Sequence, residues 1–175
     1  MRTHNGAGAL GVSLLLALLM TALTSAMSAS RVIRAPAMGG QTTAMGLLRA
    51  IDSAQAIFAA SCGGGGFAQS LDDLSRPPRG ADAGFLPPAL QRLGVPVHGY
   101  IVTLHPGAGA GTVWSSRQTC KGTCADTVSS YFAEAHPVQA ARGRRSFAID
   151  ARGAIFVNDA GTPIQPDMVG ATTLR

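Results

Sequence analysis

In the stretch Leu47–Gly66, LLRAIDSAQAIFAASCGGGG, a helical pattern runs into four consecutive glycines. Leu47, Ile51, Ala54 and Phe58 recur at spacings of 4, 3 and 4, with Ala44 and Leu48 beside them. That is the period of a helix with one apolar face. Arg49, Asp52, Ser53 and Gln55 occupy much of the remaining surface. The pattern predicts an amphipathic helix over Gln41–Ala60 with one face against a core. Ser61-Cys62 and the glycines Gly63 to Gly66 end it, since glycine is favoured just past a helix end, and they read as a flexible terminating loop.

Downstream, Phe67 to Gly99 reads as an irregular connection with short helical turns. Ser70 can cap a turn containing Leu71, Asp72, Asp73 and Leu74, and Pro77-Pro78 stops it. Pro88 suits the first position of a second turn, Ala89 to Leu93. Beyond Gly99 the period changes to two. Tyr100–Leu104 is β-branched and aromatic; Val128–Ala135 alternates, with Phe132 and Glu134 on one face and Tyr131, Ala133 and Ala135 on the other. Ser146–Ile149 and Ala154–Val157 flank Asp150-Ala151-Arg152-Gly153, a bulged hairpin turn with glycine at its left-handed position. From Asn158 the tail reads as loose strand or coil. Helices followed by a run of strands define an α+β domain, here an amphipathic helix packed on a three- to four-stranded antiparallel sheet.

Upstream, Pro36 and the Gly39-Gly40 pair predict a kink or break. Before them, Ala9–Met27 is an uncharged run of 19 residues. As a helix it would be about 28 Å long, close to the ~30 Å hydrocarbon core of a bilayer. Three readings fit it. A secretory signal peptide would have its apolar stretch at Leu10–Leu23 and be cleaved after small residues near Ala26 or Ser28. An uncleaved anchor is poorly oriented, because Arg31 and Arg34 outnumber Arg2 and favour keeping the C-terminal side inside. A prepilin leader would be cut before the run, at Gly11-Val12-Ser13-Leu14.

Composition narrows the class. Charged residues are 13% of the chain and hydrophobic residues 46%, which excludes a polar disordered chain. Gly 22 and Pro 10 fit a folded domain with long irregular loops, and 5% aromatics leave the core to Ala, Val, Leu and Ile. The net charge of +5 comes from scattered basic residues, densest at Arg142, Arg144 and Arg145. Nucleic-acid binders gather such charge on one face, so no nucleic-acid partner is expected.

Export to an oxidising compartment would make the three cysteines, Cys62, Cys120 and Cys124, readable as one disulfide and a spare thiol, with three possible pairings. Cys120 and Cys124 pair only if the turn between them brings them together. A Cys62 link to the 120–124 loop closes roughly 60 residues, for about 4 kcal/mol of chain-entropy stabilisation. A glycine-rich, aromatic-poor domain benefits from such closure, and Cys62–Cys120 is the favoured pairing.

With these residues in view, the order of elements resembles that of type IV pilins and type II secretion pseudopilins. More narrowly, Leu47–Leu74 is similar to a bacterial pilin-like subfamily that passes from its N-terminal helix into a Cys, four glycines and an aromatic, here Cys62 to Phe67. TCKGT at Thr119–Thr123, SSYFAEAHPV at Ser129–Val138 and RSFAIDARGAIF at Arg145–Phe156 fit the same group, and the likeness spans roughly Arg31–Pro163. The family's second Cys best matches Cys120. Cys124 has no role that the resemblance supplies. The family places a Glu five residues after the cleaved Gly, where this chain has Leu16, which suits a minor or tip subunit.

The resemblance implies a leader at residues 1–11, cut by prepilin peptidase between Gly11 and Val12. It implies an apolar assembly helix and hinge at residues 12–40, continuing with a break into the amphipathic helix, and an exported α+β head at residues 41–175. The implied partners are the inner membrane, prepilin peptidase and other pilin or pseudopilin subunits; the head would be periplasmic or extracellular. The alternative is a secreted or periplasmic non-catalytic binding module released by signal peptidase.

Catalytic and cofactor signatures are not evident. The glycine run lacks the Lys-Ser/Thr of a phosphate-binding loop and ends a helix instead of starting one. No Gly-x-Ser-x-Gly occurs. Cys120 and Cys124 with His98, His105 or His136 have no matching second ligand pair for zinc. Asp72-Asp73 read as cap and solvated surface, the histidines as surface residues at strand ends, and Trp114 as core. The expectation is a non-enzymatic protein with no cofactor.

Overall fold

The apolar stripe of the Leu47 region is realised as helix α1, which runs through residues 39–61. These coordinates are a computed structural model, which describes residues 39–91, 95–120, 123, 125–140 and 143–174. Gly40–Arg175 forms one unit with its own core. Ala44, Leu48, Ile51, Ala54 and Phe58 of α1 are all buried. Residues 39 and 40 are themselves helical and open the described part of α1. Gly40 is a packing position: a Cβ there would lie 3.1 Å from the His98 carbonyl oxygen and 3.4 Å from the Tyr100 ring. The expected apolar helix, the break at Pro36 and the processing residues Gly11 and Val12 lie outside the described residues.

After α1, Ser70 caps the short helix α2, Leu71–Ser75, accepting a hydrogen bond from the Asp73 amide. Pro88–Leu90 forms a single 3-10 turn. Strands then follow: β1 Tyr100–Pro106, β2 Thr112–Trp114, β3 Thr127–Val128, β4 Tyr131–Pro137, β5 Ser146–Asp150, β6 Ile155–Asn158 and β7 Thr172–Thr173. The class is α+β. The sheet is larger than the three to four strands expected: it has five, in the order β1-β4-β5-β6-β7, all antiparallel, and β2 and β3 form a separate two-stranded ribbon. The additional strands are two or three residues long, too short to carry a period-2 signal.

The run Val128–Ala135 is also not one strand. Val128 belongs to β3, pairing with Thr112 and bridging to Phe67, whereas Tyr131 begins β4. Within β4 the alternation holds. Tyr131, Ala133 and Ala135 join Phe147, Ile149, Ile155 and Val157 in the core shared with α1. Phe132 faces the other way, with Ala148 and Ile164. That second cluster is covered by residues 159–174, so β4 and β5 are buried on both faces. The Asp150–Gly153 hairpin closes as expected, with Gly153 at φ +73° and its N–H donating to the Asp150 carbonyl at 2.8 Å.

Candidate functional site

The feature that the sequence singles out, the helix end with its cysteine and glycines, is a packed junction and not a flexible loop. The amides of Cys62 and Gly63 both donate to the Phe58 carbonyl at 2.8 Å, and Gly65 N–H donates to the Ala59 carbonyl at 3.0 Å. Gly64 and Gly65 have φ of +62° and +88°, the left-handed region in which a Cβ is strained. At three of the four positions there is also no room for a side chain. A Cβ on Gly63 would overlap the Gly66 carbonyl and the Phe58 ring; on Gly64, the Trp114 indole; on Gly66, the Thr127 side chain and Val113. Trp114 therefore lies across the backbone at Gly64, still 38% exposed, and is not the core residue expected.

Long-range bonds hold the junction. Cys62 and Cys120 are joined as a disulfide with Cα atoms 4.8 Å apart. Cys120 N–H donates to the Cys62 carbonyl at 3.3 Å. The fully buried Thr127 hydroxyl donates to the Gly63 carbonyl at 3.1 Å and accepts from the Trp114 amide at 3.0 Å. Phe67 and Val128 exchange both backbone bonds, at 2.8 and 3.0 Å. Gln55, expected on the polar side of α1, is fully buried. Its amide binds both backbone groups of Ala68, donating at 2.8 Å and accepting at 2.9 Å, and so mimics a strand partner for the chain leaving the glycines. The sequence did carry a signal for this: Gln55 lies four residues after Ile51 and three before Phe58, inside the apolar stripe and not on the polar side.

The start of α1 is anchored as well. Gln41 Nε2 donates to the Gly143 carbonyl at 2.8 Å, and Arg145 Nε donates to Gln41 Oε1 at 3.0 Å. The Tyr100 hydroxyl donates to the Arg145 carbonyl at 3.0 Å. Arg145, read from sequence as part of a basic loop, thus serves an internal bond network; Arg142 lies outside the described residues.

The other residues considered for chemistry are dispersed. Asp73 is buried within the Ser70 cap, and Asp72 pairs with Arg76 instead of with its neighbour. His98 and His105 are exposed. Cys124 lies outside the described residues, among which no three His, Cys, Asp or Glu side chains are placed to hold a metal ion. No helix among the described residues is long and apolar enough to cross a membrane.

Two polar groups that sequence reading left without a role are well placed. Tyr131, 1% exposed, donates to Asp52 Oδ1 of α1 at 2.5 Å, tying helix to sheet. Burial, and then the neighbouring Asp52 and Asp150 carboxylates, hold its ionisation far above the ordinary tyrosine range. Tyr131 lines a cleft of about 360 Å³ with Ser130, Asp150, Arg152, Phe156 and Met168. Asp150 there is already bound by Arg152, at 2.8 Å from Nε and 2.6 Å from the terminal nitrogen. The cleft therefore offers hydrogen-bonding walls whose acid and phenol are both engaged.

On the outer face of β4, Glu134 is 2% exposed and accepts from His136 Nδ1 at 2.8 Å. Desolvation raises its pKa, an effect the His136 contact opposes. The pair at positions 134 and 136 shares a face because strand side chains alternate with a period of two.

Compared with protein families, curated proteins and solved structures, the chain shows no match.

Proposed function

We propose that this chain is a pilin-like or pseudopilin-like structural subunit, inserted in an inner membrane by its uncharged run and assembled into a type IV pilus or type II secretion pseudopilus, as a minor subunit. The observation that carries this reading is α1 itself. An amphipathic helix lies against one face of an antiparallel sheet, and the 19-residue uncharged run Ala9–Met27 precedes it in the same chain. An assembly subunit needs a head that moves as one body with the helix that is pulled. Gln41 and Arg145 near the start of α1, Asp52–Tyr131 along it, and Gln55 and Cys62–Cys120 at its end supply that coupling.

In this mechanism prepilin peptidase cuts between Gly11 and Val12, the apolar run waits in the membrane, and subunits pack by those segments with their α+β heads outside. Leu16, in the place of the family's Glu, removes the charge that would engage a neighbouring subunit's amine, which suits a minor or tip position.

The test is the mature N-terminus, by intact mass and terminal sequencing of protein from separated membrane and soluble fractions. A start at Val12 in the membrane fraction is expected. A start at Met27 or Ala29 in the soluble fraction would overturn the reading and leave a secreted or periplasmic binding module.

A further inference from the structure

Residues 159–174 cross the outer face of the sheet, held at their start by the Asn158 side-chain amide, which donates to the Thr162 carbonyl and hydroxyl. Ile164 is buried against Phe132 and Ala148, with Met168 and Ala171 packed at the edge. The segment returns as β7, whose two residues pair with β6, and the Leu174 amide donates to the Ile155 carbonyl at 2.8 Å. Met168 sits at φ +59°, and Val169 is 77% exposed.

Beneath this segment lies an under-satisfied polar layer. The Ile164 amide donates to Glu134 Oε1 at 3.3 Å. His136 Nδ1 lies 3.1 and 2.8 Å from the two carboxylate oxygens. An ionised carboxylate offers about four acceptor sites, and among the described residues these two donors meet it. On the same face the buried Ser146 hydroxyl has no hydrogen-bond partner among the described residues. Closing the segment over an ionised Glu134 thus strips water from the charge without replacing it fully.

We propose that residues 159–174 form a pH-dependent strap, seated on the sheet when Glu134 is protonated and loosened when Glu134 ionises. The proton is released to solvent, and the strap uncovers an apolar strip of Phe132, Ala148 and Phe156. The sign follows from linkage: seating desolvates the carboxylate, which is the largest influence on Glu134 and outweighs the Ile164 N–H bond that favours the ionised form, so the seated state binds the proton more tightly and acid favours it. The other groups facing Glu134 are His136 on its own strand and His105 from β1. Asp150, on β5, is held by Arg152, and the strap's Asp159 and Asp167 point to Arg145 and to the Val169 amide. This inference stands apart from the assembly reading and survives its failure.

The test is hydrogen exchange on the full chain in detergent, from about pH 4 to about pH 8, corrected for intrinsic exchange rates and referred to β5 amides. Protection over 164–174 is expected to fall with rising pH, by up to about tenfold per pH unit between the Glu134 midpoints of the open and seated states, because one proton is linked to opening. In Glu134→Gln the profile is expected to be flat. Protection in the parent chain that is level or increases with pH overturns the proposal, as does an unchanged slope in the variant. A carbon-13 titration of the Glu134 carboxyl in the parent chain gives a check that needs no variant. Its midpoint must coincide with the pH above which the exchange profile levels off, and a mismatch overturns the proposal too.

Discussion

Removing the Cys62–Cys120 bond is expected to cost about 4 kcal/mol, nearly all of it through the unfolded chain. The two residues are 58 apart in sequence. Closing a loop of that length withdraws roughly 14 cal/mol/K of conformational entropy from the unfolded state, or about 4 kcal/mol at 25 °C. A unit of roughly 140 residues unfolds with an entropy of about 0.3 kcal/mol/K near 60 °C, so the loss corresponds to a fall in Tm of roughly 15 °C. Native-state effects add to this. Cys62 is 3% exposed at the end of α1, and the bond holds Cys120 beside it, with the Cys120 amide donating to the Cys62 carbonyl. The perturbation is Cys62→Ala with Cys120→Ala, followed by thermal unfolding in circular dichroism with and without reductant. Reductant should lower the Tm of the parent and leave the variant unchanged. A fall below about 3 °C in the variant would refute the loop-closure reasoning. So would a free Cys62 in peptides mapped under non-reducing conditions, since the bond would then be absent in solution.

Three further outcomes test the junction and the sheet. Gly64→Ala meets the Trp114 indole at a left-handed position, and should cost about 2–3 kcal/mol and shift tryptophan emission as the ring is displaced; unchanged emission and Tm would contradict that placement. Gln55→Ala strands both backbone groups of Ala68 and should cost about 2–4 kcal/mol in urea unfolding, where a loss under about 0.5 kcal/mol would mean water takes over both bonds. Tyr131 keeps its proton in the folded state above the ordinary tyrosine pKa, while the unfolded chain gives it up. The Tyr131 contribution is therefore fully present below about pH 10 and is lost above it, by up to about 1.4 kcal/mol per pH unit. Tyr131→Phe should cost about 1.5–3 kcal/mol at neutral pH through the lost bond to Asp52, and should remove that alkaline slope in denaturant titrations run at successive pH values.

Much of the fold could be read from local pattern. The buried face of α1, its end at the glycines, the Ser70 cap, the core-facing side of β4 and the turn at Gly153 all depend on residues within a few positions of one another. Helical and strand periods, caps and positive-φ turns are set at that range, so one stretch of chain carries enough information to specify them.

What the pattern missed depends on remote segments. The glycines read simply as a helix stop, yet Gly64 and Gly66 are required by what arrives against them. Trp114 and Thr127 come from 50 to 61 residues further along the chain. Gln55 read as solvent-facing from its polarity, although it sits in the apolar stripe; its partner, Ala68, reaches it only after the chain has turned through those glycines. Strands β2, β3 and β7 are too short for a period and exist because a paired neighbour satisfies their backbone. Glu134 looks like one more outward-facing polar residue until Ile164 closes over it. The sequence by itself thus determined which faces are apolar and where the chain turns, since both follow from side-chain chemistry at short range. The tertiary structure alone decided which polar groups are buried and what they bind, because desolvation and partnership are properties of where distant segments meet.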